Sequence, residues 1–349
     1  MTEQTQARIR LHNFIEDIER SIDTPIDLKG MEVKSIMIGA MGGSAISSNI
    51  VVSCCADCAK IPISIIRSPV IPGWVGPDTL TVISTYSGNT DETLEMYKRA
   101  KAVKSPIIVI TSGGKVEGMA ESDGYPILKI PTGYQPRYSS GYMIGYLAAI
   151  IAASGYPAFS NNLKSCLDSL RSYRNYMEVQ GSLAYLLADK YKDCVPMICT
   201  ESKFKSIALR WKSQFNENSK TICFDSALSE LDDFEKAPWA NYKGKKLTLI
   251  LIAGEDDMAD DSLLKRAANN LEKMGFPFDL IAVGGNTREE RLFRAWILGD
   301  YVTVYMAEHY GIDPEITTVI TELKKRIRGE IRVRIIQSAS RRRDGQIGA

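Results

Sequence analysis

At 349 residues and a net charge of +1, the chain has room for two domains, and it carries no global field that would recruit nucleic acid or an anionic membrane. Its apolar and charged fractions, 44% and 24%, are those of an ordinary globular protein, and no apolar run approaches the roughly 20 residues needed to span a bilayer. The polar start from Met1 to Arg10 has no signal-peptide core, and seven cysteines fit a reducing compartment better than a disulfide framework, so a cytoplasmic protein is expected.

Ile9, Phe14, Ile15, Ile18 and Ile22 recur at helical spacing, which predicts an amphipathic helix over residues 5–22. Ser35-Ile36-Met37-Ile38-Gly39 reads as a buried strand, and Gly42-Gly43-Ser44 as the turn that opens a helix through Val52. The stretch Gly39 to Ile46 has a superficial likeness to a dinucleotide loop. It lacks the Gly-x-Gly-x-x-Gly spacing, and no acidic residue ends a second strand about 20 residues on. On its own it fits a tight strand–helix turn that needs Gly for steric reasons. Cys54, Cys55 and Cys58 fall on the predicted helix with no second Cys or His pair at ligand spacing, and the histidines, His12 and His309, are isolated. They read as small apolar helix residues, and no metal is expected.

Ile63-Ser64-Ile65-Ile66, Leu80-Thr81-Val82-Ile83, Ile107-Ile108-Val109-Ile110 and Ile127-Leu128-Lys129-Ile130 are further strands with helical segments between them. Apolar strands that alternate with helices imply a parallel sheet covered on both faces, with ligands bound beyond the carboxyl ends of its strands. Between the second of these strands and a helix starting near Asp91 lies Ser84-Thr85-Tyr86-Ser87-Gly88-Asn89-Thr90, which holds four Ser or Thr hydroxyls. Such a loop presents unpaired N–H groups, a positive dipole end and rotatable hydroxyl donors, which together suit a phosphate. An ordinary helix cap is the alternative, but a cap needs one hydroxyl.

Pro131-Thr132-Gly133-Tyr134-Gln135-Pro136-Arg137 leads into a long apolar helix from about Ser139 to Ala153, where an Arg would ordinarily be solvated. Gly155-Tyr156-Pro157 ends a first domain, residues 1–155, and a helical linker over 156–190 follows, with Leu167, Leu170 and Tyr173 spaced three apart. Val195 to Cys199, Leu247 to Ala253 and Phe278 to Val283, with helices at 261–274 and 287–310, make a second strand–helix domain, residues 191–325. Its first turn, Thr200-Glu201-Ser202-Lys203, lacks the Gly-Gly-Ser pattern and nothing in it matches the hydroxyl-rich loop, so it is not expected to bind a phosphate of its own. Trp211-Lys212-Ser213-Gln214-Phe215-Asn216-Glu217-Asn218-Ser219-Lys220 places one acid, Glu217, in a polar helix end, where solvation is the default. The Arg-rich residues 326–349 read as a disordered tail rather than a nucleic-acid arm.

The run Ser84 to Thr93 resembles the sugar-phosphate loop of sugar isomerase (SIS) domains, and looks closest to the bifunctional phosphoglucose/phosphomannose isomerases of archaea and some bacteria. Matches run from about residue 35 to residue 325, including Gly133-Tyr134-Gln135-Pro136-Arg137, Trp211 to Lys220, Leu298 to Val302 and Tyr310 to Pro314. The resemblance implies an α/β protein of two SIS-like domains, each a doubly wound, mostly parallel sheet with helices on both faces. It implies an aldose–ketose isomerase that moves a proton between adjacent carbons of a hexose 6-phosphate through a cis-enediol, with no cofactor. Ser84, Ser87 and Thr90 would hold the phosphate, with Gly42, Gly43 and Ser44 lining the sugar site. Glu217 would be the base, Arg137 would stabilise the enediolate, and Thr317 and Lys324, seven residues apart, would share one helix face beside the substrate. Loop and base fall in different domains, so the site would lie in the cleft between them, and a homodimer with shared active sites is implied.

One departure stands out. Family members read Glu-Leu-Asn-His-Asn-Glu, where the His assists ring opening; here the segment is Glu230-Leu231-Asp232-Asp233-Phe234-Glu235, so Asp233 replaces it. A glucosamine 6-phosphate deaminase or amino-sugar isomerase is therefore an alternative, since Asp233 suits an amino group. A sugar-phosphate sensor without turnover is a third reading, opposed by the presence of Glu217 and Arg137.

Overall fold

The computed structural model describes residues 5–228, 246–259, 262–317 and residue 322. The expected first helix is interrupted at Asn13, giving α1 (Gln6–His12) and α2 (Phe14–Ile22). Helical bonds from Asn13 N to Ile9 O and from Asp17 N to Asn13 O continue across the break, so the interruption is local.

The first sheet holds β1 (Ser35–Ala40), β2 (Ile63–Ile66), β3 (Thr79–Ser84), β4 (Ile107–Thr111) and β5 (Ile127–Lys129), all parallel, in the order β2-β1-β3-β4-β5. Every residue of β3 and β4 is buried, as their uninterrupted apolar character requires when helices cover both faces. The helices are α3 (Gly42–Cys55), α4 (Asp91–Ala102), α5 (Lys115–Asp123) and α6 (Ser140–Ala153). Winding reverses between β1 and β3, which opens a crevice at their carboxyl ends. Both the Gly42-Gly43-Ser44 turn and the hydroxyl-rich loop leave the sheet at that crevice.

Helices α7 (Ala158–Met177) and α8 (Leu183–Tyr191) occupy the stretch read as a linker. The second sheet holds β6 (Cys194–Thr200), β7 (Phe224–Ala227), β8 (Lys246–Gly254) and β9 (Phe278–Val283), parallel, in the order β7-β6-β8-β9, with α9 (Lys205–Glu217), α10 (Leu263–Lys273) and α11 (Arg288–His309). Strand β7 was not expected, because its sequence Phe-Asp-Ser-Ala shows no apolar run. α7 and α8 both pack on α11. One continuous apolar core runs from Ile36 and Ile38 of β1 through α6 and α7 to Trp211 and Trp296 on the second sheet's helices. The two sheets are thus fixed against each other by shared burial.

Helix α2 also anchors the loop that precedes α6. Asp17 is fully buried and accepts from the Tyr134 hydroxyl at 3.1 Å and from Arg20 at 3.3 Å. The Arg10 guanidinium lies 4.1 Å over the Tyr134 ring and donates to Gly133 O at 2.7 Å. Burial pushes the Asp17 carboxyl up to about 6, against the pull of Tyr134 and Arg20. With a folded pKa above the unfolded value, Asp17 holds an extra proton in the native state between about pH 4 and 6, so its contribution to stability falls as pH rises through that window. Asn cannot titrate. The stability of Asp17→Asn relative to the parent should therefore rise between pH 4 and 7, as read by urea midpoints; a difference independent of pH would place Asp17 at the ordinary carboxylate value.

Candidate active site

The crevice at β1 and β3 is a cavity of about 620 Å³ lined by Gly42, Gly43, Ser44, Thr85, Tyr86, Ser87, Thr90 and Pro136 among others. The hydroxyl loop is held from behind. Tyr86 O accepts from Ser112 N at 3.0 Å and from its hydroxyl at 2.7 Å, Gly88 O accepts from Val116 N at 3.0 Å, and Asn89 Oδ1 accepts from Lys115 N at 3.1 Å. Gly88 has φ +63°, and a Cβ there would stand 1.7 Å from Gly113 O, so only Gly lets the loop lie on this turn. Thr90 is the N-cap of α4, yet its side chain makes no capping bond. The Thr90 hydroxyl is thus not spent on the helix end, and Ser87 Oγ accepts from Asn89 N at 3.4 Å within the loop.

Ser84 does not belong to this group. It is the last residue of β3, fully buried, and its hydroxyl has no partner among the described residues. Alternation along the strand turns the next residue the other way, and it is Thr85 that faces the cavity.

Gly43 brings the second half of the site against the first. A Cβ on Gly43 would lie 3.3 Å from Arg137 N, so the absent side chain lets the turn Pro136–Tyr138 close over the crevice. Arg137 is 2% exposed rather than solvated, because its partners come from distant segments. Its Nε donates to Asn218 Oδ1 at 2.9 Å, Nη2 to Pro314 O at 2.5 Å, and Nη1 to Glu217 Oε2 at 3.3 Å. Its own carbonyl accepts from both Nη atoms of Arg210 at 3.3 and 3.2 Å and from the Ser140 hydroxyl at 2.9 Å. Arg210 in turn grips Asp300 at 2.8 and 2.7 Å and stacks on Trp296 at 4.1 Å, all in the core. Burial raises the Asp300 carboxyl while Arg210 opposes it.

Glu217 ends α9 with its side chain 32% exposed, so the carboxylate is reachable from outside while its other side meets Arg137. Lys220, at φ +55°, turns its ammonium onto the carbonyls of Glu217 and Pro314. Burial lowers the Lys220 pKa, and the field of Arg137 lowers it further. Thr317 lies in an irregular segment after Pro314, not in a helix, so the helix face expected to join it to Lys324 does not begin there. Lys324 and Asp233 lie outside the described residues, as does the tail at 326–349.

The arrangement thus offers a hydroxyl-lined crevice at one sheet's carboxyl edge, with Asp91 and Glu92 also in its lining, and, through the Gly43–Arg137 contact, a carboxylate on a buried guanidinium. Sequence reading missed Thr85, displaced by one residue in favour of Ser84, and also Asn218, Arg210 and Lys220. Asn218 and Lys220 sat inside the motif around Glu217, and their polarity so near a buried Trp211 was the available signal.

The family described as bacterial phospho-glucose isomerase C-terminal SIS domain matches residues 181–327. A bifunctional phosphoglucose/phosphomannose isomerase from Caldicellulosiruptor bescii is 31% identical over 331 residues, which is 91% of this chain and 97% of that protein. A D-glucosamine-6-phosphate 4-epimerase from Sulfolobus acidocaldarius is 31% identical over 255 residues, 72% of this chain and 77% of that one. Among solved structures, the C-terminal domain of glucosamine-fructose-6-phosphate aminotransferase from Francisella tularensis superposes with a TM-score of 0.68 at 15% identity, covering 89% of this chain and 98% of that one, a likeness of fold.

Proposed function

We infer the reaction from family and geometry together: the chain belongs to the bifunctional phosphoglucose/phosphomannose isomerase family, and it is an aldose–ketose isomerase of sugar phosphates. Glucose 6-phosphate and mannose 6-phosphate, interconverted with fructose 6-phosphate, are the substrates proposed. The observation that carries the assignment of roles is the approach of Gly43 to Arg137, which joins a hydroxyl-lined crevice to the Glu217 carboxylate.

In this reading the phosphate enters the crevice and takes the hydroxyls of Thr85, Ser87 and Thr90, with Ser44 beside them and the α4 N-terminus behind. Glu217 removes a proton from one carbon and returns it to its neighbour, since in a cis-enediol both lie on one face. Negative charge then develops on the enediolate oxygens. Of the three Arg137 contacts the one to Glu217 is the longest, so it is the one a substrate oxygen would replace while Asn218 and Pro314 hold the guanidinium. An ordinary carboxylate, unlike the imidazole that Asp233 replaces, accepts protons at neutral pH better than it donates them, so ring opening is expected to lag behind isomerisation of the open chain. A homodimer with shared sites and a cytoplasmic location remain part of the proposal; no helix among the described residues is long and apolar enough to cross a membrane.

Turnover of glucose, mannose and glucosamine 6-phosphates by the purified protein, with products identified, tests this. The glucosamine-6-phosphate 4-epimerase relative favours a second reading, an amino-sugar phosphate as substrate; exclusive turnover of the glucosamine ester would select it. The crevice has its own test. Thr85→Ala combined with Ser87→Ala should weaken binding of phosphorylated sugars and of inorganic phosphate alike, by a few kcal/mol for the lost donors. If inorganic phosphate does not compete with substrate in the parent, or competes equally well in the variant, the phosphate sits elsewhere.

A further inference from the structure

Asn218 is the residue on which Arg137 is hung. It is fully buried, as is Thr303, and its side-chain amide makes three hydrogen bonds: Oδ1 accepts from Arg137 Nε and from the Tyr138 hydroxyl, both at 2.9 Å, and Nδ2 donates to Thr303 Oγ1 at 3.0 Å. The orientation of the amide is fixed by chemistry. The Thr303 hydroxyl already donates to the carbonyls of Gly299 and Asp300 at 3.0 Å, so toward Asn218 it can only accept, and it must face the NH₂ group. Oδ1 is thereby locked toward Arg137. The same residue follows Glu217 directly in the chain, so one short segment sets both the carboxylate and the guanidinium.

The second point is charge. Buried arginines are normally paired with carboxylates, as Arg210 is with Asp300 some residues away. Arg137 is oriented instead by neutral acceptors, the Asn218 amide and the Pro314 carbonyl, and its single carboxylate contact among the described residues is the loose one to Glu217. A neutral acceptor fixes the guanidinium plane without cancelling its field, so its charge stays directed at the carboxylate and at whatever oxyanion forms beside it.

We infer that Asn218 is a positioning residue of the isomerase reaction: its amide, keyed by Thr303, holds Arg137 in line with Glu217 while leaving the guanidinium charge unspent. This rests on the isomerase reading above, which is tested separately by turnover of the unmodified protein.

Asn218→Asp is the informative change because it is isosteric. Oδ1 keeps both of its donors, while the Thr303 hydrogen must leave the Gly299 and Asp300 carbonyls to meet Oδ2, so one hydrogen bond is exchanged for another. The added charge pairs with Arg137 and stands one residue from Glu217. We expect kcat to fall by about a hundredfold, as for loss of a preorganised oxyanion donor. KM for the sugar phosphate and competition by inorganic phosphate should be nearly unchanged, because the crevice is untouched. The acidic limb of the kcat/KM profile should move to higher pH, since a negative charge is added one residue from the general base and offsets the field of Arg137. A purely structural role would move neither kcat nor the limb in a variant that folds. If Asn218→Asp does not fold, Thr303→Val replaces it as the test: it removes the acceptor that keys the amide, far from the reacting atoms, and should lower kcat with phosphate competition intact. A folded variant of the pair tested, with parental kcat and an unshifted acidic limb, overturns the inference.

Discussion

Glu217→Gln is expected to lower kcat by about a thousandfold or more, as for loss of a sole general base, while folding and phosphate competition are kept. The substitution is nearly isosteric. The amide oxygen of Gln can still accept from Arg137 Nη1, and the Lys220 ammonium rests on the backbone carbonyl of residue 217 rather than on its side chain. The ion pair that is broken joins a buried guanidinium to a carboxylate 32% exposed, and the Gln oxygen, Asn218 and Pro314 still accept from Arg137, so the midpoint of urea unfolding should move less than for loss of a fully buried pair. What disappears is the group able to carry a proton between adjacent carbons. Two measurements read that directly: the rate of isomerisation, and the incorporation of solvent deuterium at the carbon that loses its proton. Both should collapse together, whereas the inhibition constant for inorganic phosphate, set by the other sheet's crevice, should hold. Near-normal turnover in a folded Glu217→Gln protein would remove Glu217 from the mechanism. Lost turnover together with lost phosphate competition would instead mean that crevice and carboxylate are not independent parts of one site.

How far the sequence reveals this arrangement depends on the kind of signal each part carries. Strands β1, β3, β4, β6 and β8 are legible because burial on both faces demands uninterrupted apolar runs. Strand β7 is not, because it lies at an edge with Phe224 54% exposed, and nothing in its composition demands a sheet. The hydroxyl loop stands out by its density of donors, yet which hydroxyls face the crevice depends on where β3 ends. One residue of uncertainty in that boundary exchanges Ser84 for Thr85. Arg137 is the opposite case: its place at the start of α6 suggested a solvated side chain, and its burial follows from residues 210, 218, 300 and 314, none of which is near it in the chain. Long-range polar satisfaction of this kind has no local signature, and it is the likeness of Gly133-Tyr134-Gln135-Pro136-Arg137 to the family pattern that points to a site role for this residue.

Asp300→Ala should be the most destabilising of the changes considered, at about 3–5 kcal/mol, because it strands Arg210 as an uncompensated charge in the core. Arg210 and Asp300 are 1% and 4% exposed at the side chain, and their two bonds, 2.8 and 2.7 Å, form the bidentate fork. Burial still lifts the Asp300 carboxyl against the pull of Arg210, so the pair itself is held at a desolvation cost and stability alone is a weak reason for its presence. The position of Arg210 supplies another reason, since both of its Nη atoms also donate to the Arg137 carbonyl. The double variant Arg210→Met with Asp300→Leu separates the two roles. Replacing the whole pair by apolar groups of similar volume should restore most of the stability that Asp300→Ala loses. Of its side-chain donors among the described residues, the Arg137 carbonyl would then keep only the Ser140 hydroxyl, so the turn that carries the guanidinium is less firmly held. Activity should therefore stay depressed, by about tenfold or more in kcat, since small misplacements of a catalytic group are costly. Urea unfolding and steady-state kinetics on the same preparations decide the matter. A double variant that recovers both stability and full kcat would make the pair a packing element with no part in placing Arg137.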